Sequence, residues 1–294
     1  MFVMLNKIER HLPKLVLAPS FIAVLIFVYA FIIWTAWISL TKSRLMPKYD
    51  IVGFLQYEKL FAAPRWEVAF TNLFIFGFLF ITISMFLGLI LAILLDQRIR
   101  LEGFIRTVYL YPMSLSLIVT GTAWKWILNP GLGFEASMKK IGFENFKFDW
   151  LIDPDMAIYT VVLAGVWQAS GFIMALFLAG LRSVDDEIIR AARVDGIPTF
   201  QIYTAIIIPS MAPIFLSAFI VLAHLAIKSF DLVIALTGGG PGYATDLPAT
   251  YMYTMAFSRG DIGQAASSAT IMMLVVFSIV VPYLYSELRE KNVQ

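Results

Sequence analysis

Apolar residues run along this chain in long blocks set apart by short polar segments. The blocks fall at about 15–40, 71–95, 104–128, 156–181, 205–235 and 263–285. A bilayer core of about 30 Å takes roughly 20 helical residues, so each block is long enough to cross it. Lipid offers no partner to an open sheet edge. The pattern therefore predicts an all-α, polytopic membrane protein with six transmembrane helices and both termini on one side. The first block follows "MFVMLNKIERHLPK". It exceeds the roughly 7–15 apolar residues of a signal-peptide core and reads as an uncleaved first span.

Charge orients the spans. With the N-terminus inside, the inner segments carry Lys7, Arg10, Lys14, Arg98, Arg100, Arg106, Arg182, Arg190, Arg193, Arg289 and Lys291 at higher density than the outer ones. That places both termini in the cytoplasm, about 41–70, 129–155 and 236–262 outside, and 182–204 inside. Residues 1–68 then hold a cytoplasmic tail, the first span and an external segment. Residues 69–286 form the core, and 287–294 a cytoplasmic tail.

The inner loop reads "LRSVDDEIIRAARVDGIP". Ser183 is a candidate N-cap, with Asp186 completing a capping-box analogue. The acids of the first turn suit the helix dipole. Gly196 can take a left-handed stop and Pro198 forbids continuation. A helix of about three turns follows, with Val184, Ile188, Ala191 and Asp195 on one face. Interfacial lipid helices set bulky aromatics opposite basic residues. This one is small and mixed in charge, which favours docking to a protein over lying on lipid. Ala191, Ala192 and Gly196 would allow close approach.

In the fifth block the polar residues Ser210, Ser217, His224, Lys228 and Asp231 fall within a sector of about 60° at 100° per residue. Charge at membrane depth is costly, so this stripe is expected to line a water-filled path. Pairing of Lys228 with Asp231 near the outer boundary is the alternative. Lys125 is expected to snorkel outward. Gly263 with Ser267, and Ala265 with Ala269, predict a close-packed face.

"AARVDGIPTFQIYTAIIIP" resembles the cytoplasmic loop of permease subunits of bacterial ABC importers, matched here by Ala191, Ala192, Asp195, Gly196, Ile207 and Pro209. "FDLVIALTGGGPGYATDLPATYMYTMAF" is similar to the stretch after the fifth span in the larger permease subunit of maltose-permease type carbohydrate importers. Together with the span layout, the resemblance covers most of residues 69–286. It implies the type I importer permease fold and alternating access, with the loop as coupling helix. It also implies a second related permease in a heterodimer, two ATP-binding subunits and an external sugar-binding protein. Glu187, Arg190, Ala191, Ala192, Asp195 and Gly196 would meet the ATPase. The family's motif glutamate falls at Arg190, so its ion pair is rearranged or absent, or Arg190 pairs within its own helix with Asp186 or Glu187.

For substrate, the resemblance implies Gln168, Ala169 and Phe172 before the loop and Leu222, Leu225, Ala226 and Ser229 after it. Several differ in chemistry from the family's maltose site, which leaves maltose itself open. Trp167 could stack on a sugar, and His224, Lys228 and Asp231 join the path through the stripe. Apart from Arg106 at the inner end of the third, the spans contain no arginine to hold a phosphate, which favours a neutral sugar, glucose-like or an α-glucoside.

The chain holds no G-x-x-x-x-G-K-[ST], so ATP must be used by a partner. It has no cysteine and two distant histidines, His11 and His224. No metal, cofactor or nucleic acid is expected. The rival reading is an ion-gradient-driven secondary transporter coupled through His224, Lys228 and Asp231.

Overall fold

A computed structural model describes residues 14, 16–97 and 99–291. Lys7, Arg10, His11, Arg98 and the last three residues of the expected tail lie outside them. Among the described residues the fold is helical, with one isolated bridge between Thr41 and Ile51 and no strand.

The helices are α1 (Val16–Ser39), α2 (Leu55–Phe61), α3 (Pro64–Asp96), α4 (Glu102–Ser114), α5 (Leu117–Ile127), α6 (Phe134–Lys140) and α7 (Ala157–Leu181). Then follow α8 (Asp186–Val194), α9 (Thr199–Ser210), α10 (Ala212–Ile227), α11 (Asp231–Leu236), α12 (Pro248–Tyr253) and α13 (Ile262–Lys291). Of these, α1, α3, α7 and Ile262–Tyr283 of α13 are each long and apolar enough to cross a bilayer. α9 and α10 reach that length only as a pair bent by 66°. Pro209 and Pro213 flank the bend, and each removes a helix donor.

The third block is not the continuous helix expected for 104–128. It breaks at Leu115 and Ser116, both extended, just after Pro112 in the last turn of α4. The fifth block is interrupted again, because α10 stops at Ile227 and α11 starts at Asp231. Ser210 therefore lies on α9, Ser217 and His224 on α10, Lys228 in the break and Asp231 on α11, and the single polar stripe expected from an unbroken period does not form.

The chain divides into two compact units. One is Met1–Ala62 with Met252–Ile271, so it takes in residues that the sequence reading assigned to the core of 69–286. Within it the Gly263 N–H donates to the Ser43 carbonyl at 2.9 Å, and a Cβ on Gly263 would lie 2.8 Å from the Thr41 carbonyl. The small-residue face of α13 thus packs closely on the segment before α2.

The other unit is Ala63–Tyr251 with Met272–Gln294. Its core forms where Phe76 and Phe80 of α3 and Ile173, Met174 and Phe177 of α7 are buried together. Gly88 lets the two helices touch, since a Cβ there would sit 2.6 Å from Ile173 Cγ2. At Gly171 a Cβ would run into the Tyr109 carbonyl, so α7 and α4 meet backbone to backbone.

Candidate functional site

A cavity of about 280 Å³ opens where α4 gives way to α5. Met113, Leu115 and Leu117 line it from the break, Phe76 and Phe80 from α3, and Gln168, Ala169 and Phe172 from the middle of α7. Leu225, Ser229 and Leu232 close it. Irregular backbone at membrane depth is tolerated where it is buried in protein or lines a cavity, and here it does the latter. The break frees the Leu115 carbonyl, which accepts from Gln168 Nε2 at 2.9 Å. That bond fixes the amide and leaves Gln168 Oε1 buried without a partner, an acceptor suited to a hydroxyl. None of the lining residues is ionisable.

Five of the expected residues, Gln168, Ala169, Phe172, Leu225 and Ser229, line this cavity. The others do not. Trp167 stands edge-on to Trp124, ring centres 5.9 Å apart. Leu222 is buried in the core, and Ala226 faces Gly77. His224 lines a narrow crevice with Val276, Ile279 and Val280 of α13. Lys228 and Asp231 are exposed, and among the described residues they form no ion pair with each other. Sequence reasoning missed Phe76, Phe80, Met113, Leu115 and Leu117. Pro112 was the available signal, since it marks the break that brings three of them together.

Asp185, not Ser183, caps α8, accepting from the Glu187 N–H at 2.8 Å. Ser183 is turned the other way and donates to the Gly180 carbonyl. At the far end Gly196 takes φ +75°. Its N–H bonds to the Arg193 carbonyl and that of Ile197 to the Ala192 carbonyl, a Schellman closure. Val184, Ile189 and Ile197 pack against the core, and Ala192 is buried with them. Ala192 therefore faces its own chain and does not belong to the outward surface expected of it. Glu187, Ile188, Arg190, Ala191, Val194 and Asp195 are exposed, Val194 by 88%. Arg190 stands 3.5 Å from Asp186, an exposed pairing within the helix that stabilises little.

On the segments expected outside, two loops are tied down. Gly238, Gly239 and Gly242 have positive φ, making "GGGPG" a turn. Asn72 Nδ2 donates to the carbonyls of Ala244 and Asp246, and the Arg65 guanidinium lies 4.5 Å over the Tyr243 ring. Near α6, Glu135 accepts from Lys139 and from the Phe148 N–H. These two bonds hold its carboxyl below the ordinary range. Lys147 holds Asp149 low in the same way, and Asp149 raises Lys147.

Residues 84–290 match the family described as binding-protein-dependent transport system inner membrane component. The chain is 40% identical over 273 residues to the probable ABC transporter permease protein PH1215 of Pyrococcus horikoshii, covering 92% of this chain and 94% of that one. It is 37% identical over 246 residues to the xylose/arabinose import permease protein XacH of Haloferax volcanii, covering 83% and 77%. A crystal structure of a bacterial ABC transporter for import of the acidic polysaccharide alginate contains a chain with the same fold. The TM-score is 0.84 at 20% identity, covering 97% of this chain and 98% of that one.

Proposed function

The chain belongs to the family of binding-protein-dependent transport system inner membrane components, and from that premise we propose that it is the permease subunit of an ATP-driven importer carrying a neutral sugar. The observation that carries the sugar reading is the cavity at the α4–α5 break. It offers aromatic and aliphatic walls, the unpartnered Gln168 Oε1 and the Ser229 hydroxyl, and no charge. Such walls suit the apolar face of a pyranose, and the two polar groups suit its hydroxyls. An anionic sugar would meet no cation there. XacH, a relative named for neutral pentoses, supports the same class. Within it, a glucose-like sugar or an α-glucoside remains our first choice.

The exposed face of α8 supports docking to an ATP-binding subunit. Ile188 and Val194 stand out from a helix whose other side is already packed. The working assembly is this chain with a related second permease, two ATP-binding subunits and an external sugar-binding protein. Both termini and α8 lie in the cytoplasm, and α6 and the "GGGPG" turn outside. Sugar enters the cavity when the pair of permeases opens outward and leaves when it opens inward.

The deciding experiment is reconstitution of the full complex in proteoliposomes, with glucose, maltose, xylose and glycerol phosphate offered on the binding protein. Uptake of a neutral sugar that needs ATP inside is the expected result. Uptake driven by a proton or sodium gradient without ATP would overturn the reading in favour of a secondary transporter. Preference for glycerol phosphate would overturn the neutral-sugar assignment.

A further inference from the structure

One carboxylate gathers both ends of the docking loop. Asp96, the last residue of α3, accepts a hydrogen bond from the Tyr203 hydroxyl at 2.9 Å. Its other oxygen lies 3.7 Å from Nε of Arg182. Arg182 directly follows α7 and Tyr203 lies in α9, so these two residues bracket α8 on either side. Arg182 also reaches Glu102 at the start of α4, at 2.8 Å, and Gln97 donates to the Tyr203 oxygen at 3.1 Å.

We propose that Asp96 is the positioning residue of a polar clasp that passes movement of the docking helix to the walls of the cavity. The inference rests on the reading of α8 as the ATPase dock. Ion pairs this open to solvent, with Arg182 44% exposed and Glu102 30%, add little to folding stability. What they fix is relative position. The Tyr203 bond to a carboxylate is charge-assisted and directional.

The mechanical path is short. From Asp96, α3 runs back to Phe80 and Phe76 in the cavity wall. From Arg182, α7 runs back to Phe172 and Gln168 in the facing wall. Between clasp and cavity the two helices are in contact at Gly88 and Ile173. A push on α8 therefore reaches two helices that cannot slide independently, and close-packed elements respond by moving as bodies. Without the clasp, the loop would flex about its own ends and the push would be spent locally.

The test uses the whole complex in proteoliposomes, with whichever of glucose, maltose or xylose stimulates ATP hydrolysis in the wild type. Tyr203→Phe deletes one hydroxyl and Asp96→Ala deletes the carboxylate they share. Each is expected to lower sugar taken up per ATP hydrolysed by about threefold to tenfold, the scale of one ordinary hydrogen bond, since this one is partly open to solvent. The ATPase should still co-purify, and the KM for sugar should not change. Because both variants remove the same bond, the double variant should be no worse than Asp96→Ala alone. If Asp96→Ala does not assemble, Tyr203→Phe decides. Wild-type uptake per ATP in Tyr203→Phe, or fully additive losses in the double variant, would overturn the clasp while leaving the importer reading intact. A wild-type complex with no sugar-stimulated hydrolysis would overturn both.

Discussion

Arg65 and Asp246 stand 181 residues apart in the chain, yet Arg65 Nε donates to the Asp246 carboxylate at 2.5 Å. The carboxylate side chain is 1% exposed. Removing one partner of a buried pair leaves the other charge desolvated, so Arg65→Met is expected to cost about 3–5 kcal/mol. Neutralising both, as Arg65→Met with Asp246→Asn, should cost less. Unfolding in detergent, together with proteolysis near Tyr243, measures both. Equal loss in the single and double variants would argue against an ion-pair origin.

Two glycines make contrasting contacts. A Cβ at Gly88 meets Ile173 Cγ2 at 2.6 Å, Ile173 Cβ at 2.9 Å and the Met174 backbone nitrogen at 3.0 Å, whereas a Cβ at Gly171 runs straight into the Tyr109 carbonyl. Helix propensity favours alanine over glycine by about 1 kcal/mol at either site. Overpacking outweighs that gain at both sites: Gly88→Ala should be destabilised by about 1–2 kcal/mol and Gly171→Ala by about 3 kcal/mol. Thermal unfolding of the two variants side by side gives the order.

For α8 the caps make the prediction. Asp185→Ala should weaken the helix by about 1 kcal/mol, while Asp185→Asn, which keeps an acceptor, should not. Gly196→Val forces a β-branched residue to φ +75° and should loosen the Schellman end. Faster amide exchange across Asp186–Val194 and weaker ATPase retention in Asp185→Ala and Gly196→Val are the expected readouts. Unchanged exchange in both would remove the caps from the account.

The segment around α6 should respond to acid. Glu135 and Asp149 have pKa values below their ordinary ones. Their contribution is thus complete above the unfolded values of about 4.3 and 3.9, and is lost as pH falls through the lower folded values. Lys147 is raised, so its contribution is complete below about 10.4 and is lost only as pH rises through its folded value. Exchange protection of the Phe148 amide should stay level from neutral pH to about 5 and fall below about 4. In Glu135→Gln the acid step should shrink.

In the cavity, Gln168→Leu keeps the volume but removes both the bond to Leu115 and the free acceptor. A raised KM of about tenfold is expected, with assembly preserved. Ser229→Ala should act in the same direction and less. His224→Ala, in its crevice against α13, should leave KM close to wild type. A large change in KM for His224→Ala with none for Gln168→Leu would move the path away from this cavity.

The helices of this fold are legible because the solvent demands them. A run of apolar residues long enough to cross lipid has few other structures to adopt. Caps are legible too, being local chemistry, although Ser183 and Asp185 are both capping types two residues apart. Only the structure, with Ser183 bonded back to Gly180, separates them. Ala192 was expected to admit a docking surface because it is small, but it lies on the face of α8 that packs inward with Ile189. The polar stripe assumed one period across a stretch that breaks twice. The bond between Tyr203 and Asp96, like that between Arg65 and Asp246, joins distant segments that no local pattern connects.

The break between α4 and α5 has an electrical consequence. Polarity in the cavity comes from the freed Leu115 carbonyl, an amide and a hydroxyl, all of them dipoles without formal charge. Moving one elementary charge across the membrane field takes about 2.3 kcal/mol per 100 mV. A neutral solute passing such walls moves almost none. Swinging this cavity from one face to the other should therefore be nearly electrically silent, leaving membrane voltage with little to push on.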